Sequence, residues 1–251
     1  MKLKRPLSDA DQSATPPTNE PLPSSNPSGR RRFLQLASYG ALGAGLANAG
    51  VIATAPKAFA QGNLTPDSVM QELIDGNKRF ATGKMTSNDH DLEILRQHNA
   101  EKQEPFAAVL SCADSRVPVE LIFDQSIGHL FVTRVAGNIA TSAIIASLEY
   151  GAAVLGTRAI VVLGHANCGA VKASIEAKAV PGQISALYPY IRPAVDQAGS
   201  DLEAAIKANA RIQAALLRQS SPVLAEEIKQ HRLKIVAAYY DLASGSVSLL
   251  D

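Results

Sequence analysis

The sequence has no tryptophan, only two cysteines, three methionines and five histidines, and aromatic residues make up 5% of its 251 positions. Two cysteines allow at most one disulfide, which excludes a small disulfide-stapled scaffold. No charge of one sign dominates: 24 Lys and Arg face 23 Asp and Glu, a formal charge of +1, so no nucleic-acid-binding surface is indicated. No internal repeat is visible. A dinucleotide loop is also missing, because Gly151-Ala152-Ala153-Val154-Leu155-Gly156 lacks both the G-x-G-x-x-G spacing and a preceding strand. That stretch reads instead as close helix packing.

Long uncharged runs are absent with one exception, residues 33–56, and its surroundings explain it. Residues 1–29 carry Pro6, Pro16, Pro17, Pro21, Pro23 and Pro27 among Ser, Thr, Asn and Asp, too polar to bury a core, and read as disordered. Arg30-Arg31-Arg32-Phe33-Leu34 follows, then the uncharged run, then Ala58-Phe59-Ala60. A charged start, an apolar centre rich in Ala and Gly and an A-x-A end form a signal peptide over residues 30–60. Its Arg-Arg-x-Phe-Leu core resembles the bacterial twin-arginine export signal, which carries folded proteins across the inner membrane. Cleavage after Ala60 and a periplasmic product of 191 residues are expected, with an uncleaved membrane anchor as the alternative. Residues 61–251 keep 17 basic and 20 acidic side chains, a formal charge of −3. The membrane is then a partner only through the signal.

The remaining chain alternates strand-like and helix-like stretches, which predicts an α/β fold. Short apolar runs at 106–110, 130–135, 159–163 and 235–240 suit four buried parallel strands, and residues 246–250, after Ser244-Gly245, suit an antiparallel edge strand. Flanking helices are expected at 66–83, where Thr65-Pro66 is a start signal and Gly83 a stop, and at 141–155, 201–219 and 222–231. Residues 84–102 mix charges of both signs and read as a solvated segment.

Both cysteines fall just after predicted strands, in Cys112-Ala113-Asp114-Ser115-Arg116 and His165-Ala166-Asn167-Cys168. Two thiolates and an imidazole form a Cys2His set, the ligand count of a catalytic zinc site that keeps a position open for water. His-x-x-Cys can reach one ion from a single turn, and Cys112 closes the set. A Cys112 to Cys168 disulfide is the alternative in an exported protein. Cys168-Gly169 opens a helix, whose start favours a thiolate. Asp114 and Arg116 put a carboxylate and a cation beside the metal. Three neutral histidines would let zinc bring bound water to a pKa of about 7, whereas two thiolates cancel the ion's formal charge and weaken that effect. Asp114 offsets part of this by accepting a hydrogen bond from the nucleophile, with Arg116 holding it. His90, His98, His129 and His231 stand apart and read as surface or structural histidines.

Cys112-Ala113-Asp114-Ser115-Arg116-Val117 followed by Gly164-His165-Ala166-Asn167-Cys168-Gly169 resembles the zinc signature of the beta-class carbonic anhydrases. Gly76-Asn77-Lys78-Arg79-Phe80, Phe131-Val132-Thr133-Arg134 and Tyr240-Asp241-Leu242-Ala243-Ser244-Gly245 extend the resemblance over most of residues 64–250. It implies one zinc per chain on Cys112, His165 and Cys168, an Asp114–Arg116 dyad, and reversible hydration of carbon dioxide to bicarbonate. It also implies a homodimer or higher homo-oligomer, with the first helix covering a neighbouring subunit. The same fold would serve a carbonyl sulfide or carbon disulfide hydrolase, or a non-catalytic zinc or bicarbonate-binding protein with Asp114 on the metal. The chain departs from the family in three places. Arg134 is followed by Val135-Ala136-Gly137-Asn138 rather than Asn-Ile-Ala-Asn, a substrate-side glutamine falls on Ser126 with Gln125 beside it, and the tryptophan of one bicarbonate-regulated branch is missing.

Overall fold

The computed structural model describes residues 64–86 and 91–250, so the extension and export signal expected at residues 1–60 lie outside the described residues. Four parallel strands, β1 (Ala107–Ser111), β2 (Leu130–Arg134), β3 (Ala159–His165) and β4 (Lys234–Tyr240), are joined by a short antiparallel β5 (Val247–Leu249). The spatial order is β2-β1-β3-β4-β5. β1 and β3 are buried at every position, as strands covered on both faces must be. Their alternate side chains go to opposite layers. Ala107, Val109, Val161 and Leu163 join one core, and Ala108, Leu110, Ile160 and Val162 join the other.

The first layer is covered by α1 (Pro66–Ala81) and α3 (Val119–Ile122). Thr65 caps α1 by accepting from the Ser68 amide while the Ser68 hydroxyl accepts from the Thr65 amide, and Pro66 takes the first turn, where its missing N–H costs nothing. The apolar face of α1, with Val69, Met70 and Leu73, is buried against this chain's own sheet. A Cβ on Gly76 would lie 1.9 Å from the Phe123 carbonyl oxygen, so only glycine lets α1 approach the end of α3.

Asn77, one residue on, is 5% exposed. Its amide donates to the Ile122 carbonyl (3.1 Å) and the Gly245 carbonyl (2.9 Å), and its oxygen accepts from the Val247 amide (2.7 Å). Arg79 pairs with buried Asp124 at 2.5 Å and with Glu72 at 3.1 Å, and Phe80 packs toward Tyr240 at 6.5 Å between ring centres. The Gly-Asn-Lys-Arg-Phe motif is therefore a clamp that ties the helix to α3 and to the C-terminal hairpin. Asn77→Ala should cost about 3 kcal/mol, roughly 1 kcal/mol for each backbone group left without its partner, read as a lower denaturation midpoint in urea.

The opposite layer holds α4 (Ser142–Glu149), continued by a π-helical turn (Tyr150–Val154), together with α7 (Leu202–Ser220) and α8 (Pro222–Lys229). A Cβ on Gly151 would meet the Phe131 ring at 3.2 Å, which bears out the close packing expected there. The described residues of 84–102 are mostly exposed, as expected of a solvated segment, and include a short helix α2 (Asp91–Ile94) and a π-helical turn (Leu95–Asn99). One element differs from expectation. α6 (Tyr188–Ala198), preceded by α5 (Gly169–Glu176), is hidden in the sequence by Pro189 and Pro193, although Ile191, Ala194 and Val195 carry its buried stripe. Among the described residues no helix is long and apolar enough to cross a membrane.

Candidate metal centre

The strand order reverses between β1 and β3: the chain leaves β1 for β2 on one side, then returns to place β3 on the other. At such a switch the two following loops part and leave a crevice at the carboxyl ends of the strands. Cys112 follows β1 directly, and His165 is the last residue of β3, paired with Tyr240. The turn from His165 to Cys168 needs a left-handed residue, supplied by Asn167 at φ 54, a conformation its short polar side chain tolerates. Cys168 then becomes the N-cap residue of α5.

These elements bring together the three residues read as ligands. One ligand atom each from Cys112, His165 and Cys168 lies within 4.8 Å of the others. All three are buried, and neither cysteine is in a disulfide. The disulfide alternative is thus not the state observed. Ile139, Val171, Ile191, Ile206 and Tyr239 form an apolar wall around the thiols.

The donor set fits a zinc ion. Nδ1 of His165 lies 2.9 Å from the Ala166 carbonyl oxygen, which assigns the ring proton to Nδ1 and leaves a lone pair on Nε2. That Nε2 is buried without a hydrogen-bond partner, and such a group is costly unless something binds it. The thiols share their protons unevenly. A hydrogen bond from Cys168 brings Cys112 down to about 4, helped by His165 and the Gly137 amide against the opposing effect of burial. Cys168 is raised by its bond to Cys112 and by burial, although the Val171 and Ala170 amides act the other way. The helix start expected to favour a thiolate is present, and its effect is outweighed until a cation replaces the shared proton.

Asp114 and Arg116 form the expected pair. Oδ1 of Asp114 accepts from the Arg116 amide and from Nε, both at 2.9 Å, and Oδ2 accepts from Nη2 at 2.7 Å. Oδ2 also lies 3.9 Å from Nε2 of His165, so the carboxylate stands at the rim of the ligand cluster. The Arg116 side-chain bonds hold the Asp114 carboxyl well below the ordinary carboxylate range, and it is ionised wherever the protein is folded near neutrality. Arg116 also reaches the Asn167 carbonyl at 3.4 Å, which links the dyad to the His-x-x-Cys turn.

Two contributors are missed by reading the sequence alone. Arg134, at the end of β2 and in register with Ser111, donates to the carbonyls of Cys112 (3.0 Å) and Asp114 (2.5 Å). The Gly137 amide donates to Sγ of Cys112 at 3.3 Å. An arginine ending a neighbouring strand was a visible signal, whereas the glycine contact arises only from folding. Ser126, on which the family's substrate glutamine falls, and its neighbour Gln125 make their side-chain contacts within this chain away from the ligand cluster. Gln125 is buried with its amide on the Phe123 carbonyl (2.9 Å) and its oxygen 3.2 Å from His129 Nδ1, and Ser126 bonds to Asp91. His129 packs on Phe106 at 5.6 Å, a structural role as expected, and burial lowers its pKa.

The carbonic anhydrase family model matches residues 107–247. Carbonic anhydrase 2 of Mycobacterium tuberculosis is 34% identical over 203 residues, covering 75% of this chain and 95% of the relative. A carbonic anhydrase of Pseudomonas aeruginosa is 34% identical over 199 residues, covering 72% of this chain and 88% of its own length. The solved structure of the beta-carbonic anhydrase CcaA superposes with a TM-score of 0.56 at 29% identity, over 72% of this chain and 87% of that one.

Proposed function

Because this chain belongs to the carbonic anhydrase family, in its beta class, we propose that it interconverts carbon dioxide and bicarbonate at one zinc ion per chain. Cys112, His165 and Cys168 hold that ion. The observation that carries the assignment is the buried, unpartnered Nε2 of His165 facing two buried thiols. When bound, zinc supplies the Lewis acidity that makes water a nucleophile at neutral pH. Asp114 contributes direction. Arg116 leaves its carboxylate ionised, so Oδ2 accepts a hydrogen bond from the attacking water and turns an oxygen lone pair toward the carbon. Ile139, Ile191 and Tyr239, buried in one cluster with both cysteines, give the centre an apolar side. Water and carbon dioxide give bicarbonate and one proton, which leaves to buffer.

The test is metal content beside stopped-flow hydration on the purified full chain. One zinc per chain with rapid hydration is the expected result. Hydrolysis of carbonyl sulfide or carbon disulfide without hydration would move the protein to the sulfur-substrate reading, and stoichiometric zinc with neither activity would leave a binding protein.

Export by the twin-arginine route, cleavage after Ala60 and a periplasmic product follow from residues 30–60. The route suits a metalloenzyme, which folds and loads zinc while its thiols are still reduced. Arg30→Lys combined with Arg31→Lys should leave the protein in the cytoplasm, folded and zinc-loaded. N-terminal sequencing of the exported wild type should begin at Gln61, and a membrane-bound product retaining the Arg30 region would replace cleavage with anchoring. Assembly as a homodimer or larger is supported by the tetrameric beta-carbonic anhydrases of Sordaria macrospora, which share this fold, and by exposed apolar side chains at Leu121 and Ile127.

A further inference from the structure

α7 buries an apolar stripe against the sheet, yet Asn209 and Gln213, each 1% exposed, interrupt it one turn apart. Amides in such a place must be satisfied, and both are. Asn209 Nδ2 donates to the Gly137 carbonyl at 2.8 Å. Gln213 Nε2 donates to Asn209 Oδ1 (3.2 Å) and to the Tyr190 carbonyl (3.0 Å), while its oxygen accepts from the Ala140 amide (2.9 Å). The two side chains thus grip the loop of residues 137–140 at both ends.

That loop needs a grip. Gly137 and Asn138 adopt φ 78 and φ 43 in succession, a left-handed pair that glycine and asparagine tolerate but that tertiary contacts have to select from the other conformations open to them. A Cβ on Gly137 would lie 2.7 Å from Ile191 Cδ1, so the loop is also pressed against α6. The product of this conformation is the Gly137 N–H directed at Sγ of Cys112.

We propose that Asn209 is a positioning residue for the metal centre, fixing Gly137 so that its N–H donates to the Cys112 thiolate. A thiolate that accepts a hydrogen bond gives less charge to its metal, which restores part of the Lewis acidity that two thiolate ligands remove. The inference rests on the reading that Cys112 ligates the metal, and the experiment separates the two. Full-length protein labelled with 15N and loaded with 113Cd should show scalar coupling of cadmium to the Cys112 β protons, through the Cd–S bond, and to the Gly137 amide proton, through the N–H···S bond. Absence of the first coupling would overturn the ligand reading. Presence of the first without the second would overturn the hydrogen bond alone.

Asn209→Ala and Asn209→Leu should keep the Cys112 coupling and lose most of that to Gly137. They should also shift the thiolate charge-transfer bands of the cobalt-loaded protein and weaken metal retention against a chelator roughly tenfold. Leu217→Ala, a cavity on the same helix outside the network, should leave the Gly137 coupling in place. If Asn209→Ala or Asn209→Leu kept the Gly137 coupling and the cobalt spectrum of the wild type, the proposal would fail. Should neither variant fold, Gln213→Leu is read by the same couplings and the same rule.

Discussion

Cys168→Ser should yield folded protein without stoichiometric zinc, and hydration should fall by about a thousandfold or more. The substitution is nearly isosteric at a fully buried site, so the cost to the fold is small beside the loss of a ligand. A neutral hydroxyl is a poor partner for zinc at neutral pH, whereas a thiolate carries the negative charge that pairs with the cation once it displaces the shared proton. His165 and Cys112 would remain, two donors where a stable site needs at least three. Nothing else in the crevice can activate water. Asp114, held low by Arg116, is too weak a base to remove a proton from free water, and among the described residues no second cluster of His and Cys exists. Elemental analysis, hydration rate and thermal unfolding together check this outcome. A variant that kept both zinc and activity would remove Cys168 from the ligand set.

Asp114→Asn should separate ligation from catalysis. Zinc should remain, because the three ligands are untouched, while hydration falls on the order of a hundredfold, the usual scale for a positioned acid-base or orienting group. The amide could still accept the Arg116 bonds at one atom, but its NH2 would face the guanidinium at the other, where the carboxylate now accepts at both oxygens. Arg116→Ala should give a comparable loss by freeing the carboxylate to swing the short distance toward the ligands, where Oδ2 already lies 3.9 Å from His165 Nε2. Cobalt spectra should then report a changed fourth ligand. Sign matters for the pH dependence. A depressed Asp114 contributes stability that is complete above its ordinary value of 3.8 and lost only as pH falls through the lower folded value, so unfolding near neutrality should be insensitive to this group. Full hydration activity in Asp114→Asn with zinc bound would reduce the pair to a structural ion pair.

Much of this was legible along the chain because the signals are local. Unbroken apolar runs identify strands covered on both faces, and the observed β1, β3 and β4 match them to within two residues at each end. Thr65-Pro66 identifies the start of α1, and two cysteines beside Asp and His identify the donor set. α6 escaped because its two prolines mask a periodicity of only three buried side chains, and the clamp role of Gly76 and Asn77 escaped because their partners lie about 45 and 170 residues away.

Residue types and spacing by themselves determined the chemistry available to this protein: which atoms can bind a soft cation, and which carboxylate stands two residues from a ligand. Only the tertiary structure decided where those atoms meet. Strand order depends on how crossover connections pack, which no local pattern records, and it is the placing of β1 beside β3 that joins Cys112 to a turn more than fifty residues later. The same holds for Arg134, Gly137 and Asn209. Each acts through a backbone group, and a backbone carbonyl or amide carries no mark in the sequence of the direction in which folding will point it.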